Sequence, residues 1–306
     1  MKKRIFPRFE NTYKGNLHTH TTRSDGPYEL DTVLKAYQGM GYQFLCISDH
    51  RKYYKSSRKD NEEFIILDGM EGEVGDSSYH IHAIGDYSVE AEERFGAEEI
   101  WPVTEKSPQE TIDEYKKRGN ICIINHPRWT KLEYEELLEA KGYIGIEIYN
   151  NNCDRESLTG YATDYWDYLL RRGKKVYGFA SDDAHAEDFH FRVREYFGGW
   201  ICVSADALSQ KNIVSSLKSG DFYASSGPEI LAIDREDHTL SVQTSPVTSI
   251  AFVAWPEHSL NVYDKNGRDI QEATFTMAEG TSYVRIEITD RYGKKAWSNP
   301  VFIEPR

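Results

Sequence analysis

Seven of the ten histidines lie near carboxylates in or at the ends of short apolar runs. His18-Thr19-His20 follows the run 14–17. On an extended chain, residues i and i+2 share a face, so both imidazoles can grip one ion. Asp25 follows in the turn Ser24-Asp25-Gly26. Asp49-His50 closes the run that starts at Phe44, and Glu71 comes just after Asp68-Gly69-Met70. His80 and His82 alternate again within Tyr79-His80-Ile81-His82. Asn125-His126-Pro127 ends the run 121–124, and Asp182-Asp183-Ala184-His185 ends the run 176–180. Any one of these is also an ordinary cap or turn. Their ordered succession points to divalent metals held by mixed imidazole and carboxylate ligands.

Such ions would make a cationic pocket that suits a phosphate oxyanion and would also polarise a carbonyl. Guanidinium groups beside the metals would bind phosphoryl oxygens in pairs. Arg23, Arg51, Arg128, Arg192 and Arg194 are candidates, with Arg128 favoured because it stands two residues past His126. The basic run 51–59 reads as a solvated loop or a lid that attracts anions. Asn150-Asn151-Asn152 stands at another strand end, where turn chemistry accounts for it equally well. The aromatics of the segment 163–170 have helical spacing and read as core.

The elements that position these residues are legible as far as Gly227. Apolar runs at 44–47, 64–67, 121–124, 144–148, 176–180 and 200–203 alternate with amphipathic stretches. Leu30, Val33, Leu34 and Tyr37 follow helical spacing, which Gly39 and Gly41 terminate. Ser107-Pro108-Gln109-Glu110 is a capping box with proline at the first helical position. Ile213, Val214 and Leu217 mark a further helix closed by Gly220. This alternation predicts a largely parallel sheet with helices outside, open or closed into a barrel. After Pro228 the pattern becomes apolar/polar alternation between turn formers, as expected of a small antiparallel β-sandwich. The expected division is therefore 1–227 and 228–306.

Composition narrows the function. The chain of 306 residues carries a formal charge of −13, which repels phosphate backbones and argues against long nucleic acid as a partner. No segment approaches the roughly 20 apolar residues of a membrane span, and the segment 1–16, basic but with no apolar run behind it, is not expected to act as a secretory signal. The cysteines lack CxxC spacing. Cys46, Cys122 and Cys202 fall in strand-like runs as buried thiols, while Cys153 lies in a polar loop; a reducing, cytoplasmic compartment is expected.

The motifs Asn16-Leu17-His18-Thr19-His20, Ser24-Asp25-Gly26, Ser48-Asp49-His50, Gly69-Met70-Glu71, His80, His126-Pro127 and Asp183-Ala184-His185 resemble the PHP (polymerase and histidinol phosphatase) superfamily. Within it they resemble the two-domain CehA/McbA-like metallohydrolases. The likeness covers about residues 14–228, and the segments 222–228 and 296–300 resemble pieces common in that branch. The resemblance implies an α/β fold, a distorted (β/α)7 barrel with a C-terminal all-β sandwich-like domain, and two to three divalent ions (zinc, manganese or iron). It implies that His18, His20, Glu71 and Asp183 hold a first ion. Glu71 would bridge to a second ion, completed by His80 and His126, and Asp25, His50 and His185 would hold a third. Two alternatives stay open: His82 for His80, and Asp182 for Asp183. Some relatives carry histidine where this chain has Asp25.

The implied activity is hydrolysis of a small phosphate ester by a metal-bridging hydroxide. Glu71, Asp183, His185 and Arg128 are the residues expected to bear most directly on catalysis. The same metals would serve carbamate, amide or ester hydrolysis, and a non-catalytic metal-bound scaffold is the remaining reading. An exonuclease role would call for polymerase segments or a basic groove, and neither is visible.

Overall fold

The computed structural model describes residues 2–56, 63–75, 79–90, 94–97, 99–103, 105–185 and 195–303. The chain begins with β1 (Lys2–Phe6) and β2 (Thr12–Asn16), then enters α1 (Leu30–Gly39), which buries Val33, Leu34 and Tyr37 on one face as its spacing requires. β3 (Phe44–Cys46) and β4 (Ile65–Leu67) are short and wholly buried. β5 (Gly69–Glu73) pairs antiparallel with β6 (His80–Gly85). α2 (Pro108–Lys117) opens with the capping box: the Glu110 N–H donates to the Ser107 hydroxyl, and the Ser107 N–H donates to the Glu110 carboxylate at 2.8 Å.

Next come β7 (Asn120–Ile124), α3 (Pro127–Thr130), α4 (Tyr134–Glu139) and β8 (Gly145–Asn150). α5 (Asn151–Ser157), α6 (Thr163–Arg171), β9 (Tyr177–Ser181), β10 (Trp200–Ser204) and α7 (Gln210–Ser219) follow. Gly220, at φ +76°, supplies the left-handed residue that ends α7. The rest is all strand: β11 (Phe222–Ser225), β12 (Ile230–Glu236), β13 (Thr239–Val247), β14 (Ser249–Trp255), β15 (Leu260–Val262), β16 (Ile270–Thr276), β17 (Tyr283–Thr289), β18 (Lys295–Ser298) and β19 (Val301–Phe302).

These strands make three sheets. One has the order β1-β12-β13-β16; a ten-stranded sheet runs β15-β14-β17-β18-β11-β10-β2-β3-β4, with β19 on β17; the third is β5-β6-β7-β8-β9. The fold is thus mixed α/β, but the expected (β/α)7 barrel is not formed. The described strands close no barrel, because the second and third sheets are joined by isolated bridges and not by a continuous ladder. Thr19 pairs with Ala184 at one seam, and His50 with Glu71 at the other. The reason is local: Asp183 (φ +54°) and Arg51 (φ +55°) take left-handed conformations that cannot continue a ladder. Antiparallel pairing of β5, β6 and β7 is a second departure from the parallel pattern.

After Pro228 two sheets face each other through a shared apolar cluster. Leu240, Val242 and Phe275 come from one sheet, and Ile250, Phe252, Ile286 and Ile288 from the other. Phe252 and Phe275 stack across the interface at 5.3 Å. The larger core lies under β7, β8 and β9 and includes Ile112, Tyr115, Trp166, Leu169 and Phe222. Trp166, Leu169 and Leu170 on α6 are buried, as the helical spacing of that segment predicts.

Candidate metal centre

Every left-handed or bridged position at the two seams carries or adjoins one of the predicted ligands. Beyond β2, Asn16 fixes the chain's exit: its Nδ2 donates to the His18 carbonyl (2.9 Å) and its Oδ1 accepts the Asp182 N–H (3.1 Å). His18 and His20 are thereby buried on the seam, on either side of Thr19. Glu71 lies within β5, His80 begins β6, and His126 sits just past β7 at φ +22°. Asp183 and His185 follow β9.

Glu71 is fully buried and central. Its Oε1 is 3.0 Å from His80 Nδ1 and 3.2 Å from His126 Nε2. Its Oε2 is 3.2 Å from both His18 Nε2 and His50 Nδ1. Asn125 Nδ2 donates to Oε1 at 2.7 Å and sets the plane of the carboxylate. Asp183 Oδ1 is 3.0 Å from His18 Nε2 and 3.2 Å from His20 Nε2. Asp25 approaches from the mouth, with Oδ1 3.3 Å from His20 Nδ1 and Oδ2 3.5 Å from both His50 Nε2 and His185 Nε2.

All the predicted ligands therefore come together, in overlapping groups whose ligand atoms lie within 4.8 Å of one another. These are His18, His20, Glu71 and Asp183; Glu71, His80 and His126; and His20, Asp25, His50 and His185. A further group, His50, Glu73 and His80, brings in a carboxylate that the sequence pattern did not single out. Among the described residues, His18 Nε2, His50 Nδ1 and Glu71 Oε2 are buried without a hydrogen bond of good geometry. Buried polar atoms are normally satisfied, so lone pairs converging in this way fit divalent cations.

The electrostatics of the site follow from the same crowding. Burial opposes the charge on Glu71 and Asp183, but the surrounding histidines outweigh it and hold both carboxyls well below the usual range. Burial lowers His20, yet its hydrogen bonds to Asp183 and Asp25 and the charge of Glu71 push it up to about 9. His18 is raised for the same reason by Asp183, Glu71 and Glu147. His185 goes the other way, to about 4, through burial and the charge of His20.

The two open alternatives differ in surroundings. His82 lies one step deeper on the same face of β6, with its Nε2 3.5 Å from Cys46 Sγ, and belongs to none of the donor groups. Asp182 turns away from the centre. Its carboxylate accepts the N–H groups of Phe197 (2.8 Å), Gly198 and Gly199 (both 2.7 Å) and the Tyr37 hydroxyl (2.7 Å). Asp49 is likewise bound by Thr21 and Ser24.

The arginines are mostly engaged elsewhere. Arg128 pairs with Asp164 and donates to the Tyr161 carbonyl, so its guanidinium is absent from the cavity lining. Arg23 binds Asp49 and the Tyr53 carbonyl, and Arg51 faces Glu73. Arg192 and Arg194 lie outside the described residues, as does 57–59 of the basic run. The cavity over the candidate ligands measures about 650 Å³, and Trp129, Asn152, Cys153, Arg155 and Glu195 line it beside them. Arg155 forms no ion pair among the described residues. The polar-loop cysteine, Cys153, proves to be buried in α5, and the four thiols are free.

Glu147 and Trp129 were not singled out in the sequence, and Asn125 was named only as part of the Asn125-His126-Pro127 motif, without a role of its own. Glu147 was legible in principle, as a lone acid inside the apolar run 144–148. Trp129 packs on His126 at 5.0 Å, a contact set by the turn after Pro127 that no spacing encodes.

No family model matches the chain. A stretch of 42 residues is 43% identical to the DNA polymerase/3'-5' exonuclease PolX of Bacillus subtilis (strain 168), spanning 14% of this chain and 7% of that protein. The fold is similar to the crystal structure of a two-domain protein containing a predicted PHP-like metal-dependent phosphoesterase from Bacteroides vulgatus ATCC 8482. That comparison has 16% identity and a TM-score of 0.49, covering 96% of this chain and 95% of the other. A candidate metal-dependent phosphoesterase from Bifidobacterium adolescentis ATCC 15703 is similar over 56% of this chain and 88% of its own, at 15% identity and a TM-score of 0.41.

Proposed function

We propose that the chain is a metal-dependent phosphoesterase that hydrolyses a small phosphorylated molecule with two to three divalent ions. The observation that carries this is the sharing of Glu71 and His20 between donor groups, so that each could serve more than one ion. Zinc, manganese and iron all suit such mixed ligands. Bound there, the ions would acidify water and neutralise charge on a phosphoryl group.

The chain's own residues do the rest. His18, His20, Glu71 and Asp183 form the floor, His80 and His126 one wall, and Asp25, His50 and His185 the mouth. His185 Nδ1 lies 2.8 Å from the Asp183 carbonyl, an arrangement that keeps Nε2 free to bind an ion. Asn125 holds Glu71 in plane. With Arg128 bound to Asp164, the phosphate contact passes to Arg155, the unpaired guanidinium of the lining. Trp129 supplies an apolar surface for the leaving group. A division near Gly227 and a reducing, cytoplasmic setting for the free thiols belong to the same reading; no described helix is long and apolar enough to cross a membrane.

Elemental analysis of the purified protein, run with a phosphate-release screen over nucleotides, sugar phosphates and cyclic phosphates, tests this. Two to three metals per chain with phosphate release is the expected result. Metals with release only from carbamates, amides or carboxylic esters would shift the bond cleaved, and a protein that takes up no metal would overturn the proposal.

A further inference from the structure

Beneath the ligands lies a charge that the function proposed above does not use. Glu147 is the lone acid of β8 and is 3% exposed. Its Oε1 meets His18 Nδ1 at 2.8 Å and accepts the Ser181 hydroxyl. Its Oε2 accepts the His126 backbone N–H and Asn150 Nδ2, both at 2.9 Å. Asn150 Nδ2 also reaches Asp183 Oδ2 at 2.9 Å. One carboxylate thus joins the segments that carry His18, His126 and Asp183.

The fold makes that link necessary. β8 lies between β7 and β9, whereas His18 follows β2 of the other sheet, and the two sheets are joined at this seam by the isolated Thr19–Ala184 bridge rather than by a continuous ladder. Backbone bonds at that bridge, Asp183 N–H to the His18 carbonyl (2.9 Å) and His20 N–H to the Ala184 carbonyl (3.4 Å), tie the His18 main chain to Asp183 but leave its imidazole and the position of His126 unset; the contact between Glu147 and His18 crosses the seam to do so. A buried carboxylate is costly where a neutral amide would tie strands together. What it adds is an acceptor for an Nδ1–H, which leaves the Nε2 lone pair facing Glu71 Oε2 and Asp183 Oδ1 and raises its basicity.

We propose that Glu147 is a positioning residue of the metal centre, holding His18 with Nδ1 protonated and Nε2 toward the ions while registering His126 and Asp183 in the same frame. The inference rests on the metal-centre reading above. Cobalt titration of the full chain, followed by visible absorption and calorimetry, tests it on Glu147→Gln. The amide keeps the shape but offers a donor where the histidine and both N–H groups need acceptors. The expected result is native far-UV circular dichroism, an altered cobalt band, and affinity for at least one ion reduced about 10–100-fold. Equal affinity with an unchanged band would overturn the proposal while leaving the metal centre intact. A wild-type protein that binds no cobalt would remove the metal centre and this role with it. Should the variant fail to fold, nitrogen-15 histidine spectra of the zinc-loaded wild type decide, with His18 identified by the signals lost in His18→Gln. An Nδ1–H tautomer is expected, and an Nε2–H tautomer overturns the role.

Discussion

Asp182 and Asp183 are neighbours, both buried, and their carboxylates serve different ends. Asp183 takes a left-handed turn at φ +54° and places its oxygens among His18 and His20; Asp182 caps three backbone N–H groups of the segment 197–199. Asp183→Asn is expected to leave the fold intact, to remove bound metal, and to lower turnover at least about 100-fold, since a ligand should matter no less than a residue that orients one. Asp182→Asn is expected to keep its metal but to lose about 1–3 kcal/mol, because the amide cannot accept every buried donor it faces. Metal content and urea midpoints of the two variants separate these outcomes; reversed results would exchange the roles. Residue types and order were readable in the sequence for all the predicted ligands. Between the adjacent aspartates the Asp-x-His spacing favours Asp183, but the dihedral that turns the two carboxylates apart is not written in that spacing. Arg128 failed for a related reason: proximity to His126 in sequence says nothing of Asp164, which lies 36 positions on and captures its guanidinium.

Helices and most strands were legible because each is a local pattern. The boundaries of α1, α2 and α7 follow from apolar spacing, a capping box and terminal glycines. What the sequence could not show is that β5 and β6 run antiparallel and that the sheets part at two seams, since pairing is a long-range choice. β5 illustrates how tightly an element can be held for the sake of one side chain. A Cβ added at Gly72, next to Glu71, would lie 1.7 Å from the Tyr115 hydroxyl and 2.7 Å from its Cζ, and Tyr115 is fully buried. Gly72→Ala must therefore push β5 or the ring aside, at a cost of about 1–3 kcal/mol, and Glu71 moves with the strand. Reduced thermal stability together with weaker metal binding is expected. Tyr115→Phe in the same chain should recover part of both, because it removes the nearest atom. Stability lost with metal affinity unchanged would mean that β5 absorbs the clash without moving Glu71.

At the scale of the molecule, the ten-stranded sheet ties the all-β half to the strand that leads into His18 and His20, through β17, β18, β11, β10 and β2 in turn. An ion pair between a buried guanidinium and a half-buried carboxylate backs that continuity. Arg285 on β17, 3% exposed, donates from Nε and Nη2 to the two oxygens of Asp167 on α6, both at 2.8 Å, and lies over the Trp166 ring. Asp167→Asn leaves this guanidinium with a weaker partner, and a loss of about 3 kcal/mol is expected. Arg285 also faces Glu287, which is bound in addition by Lys295. Burial opposes the charge on Glu287, but Arg285 and Lys295 outweigh it and hold the carboxyl below its ordinary value of 4.5. Its contribution to stability is thus fully present above the unfolded value, near pH 4.5, and disappears as pH falls through the lower folded value. Glu287→Gln should consequently be less stable than wild type at pH 7, and the gap should narrow as the solution is acidified below that point. Urea midpoints measured at pH 7 and in the acid range give the comparison. A gap that stays constant with pH would mean that Glu287 acts through packing rather than charge, and that Asp167 alone anchors the guanidinium between the two halves.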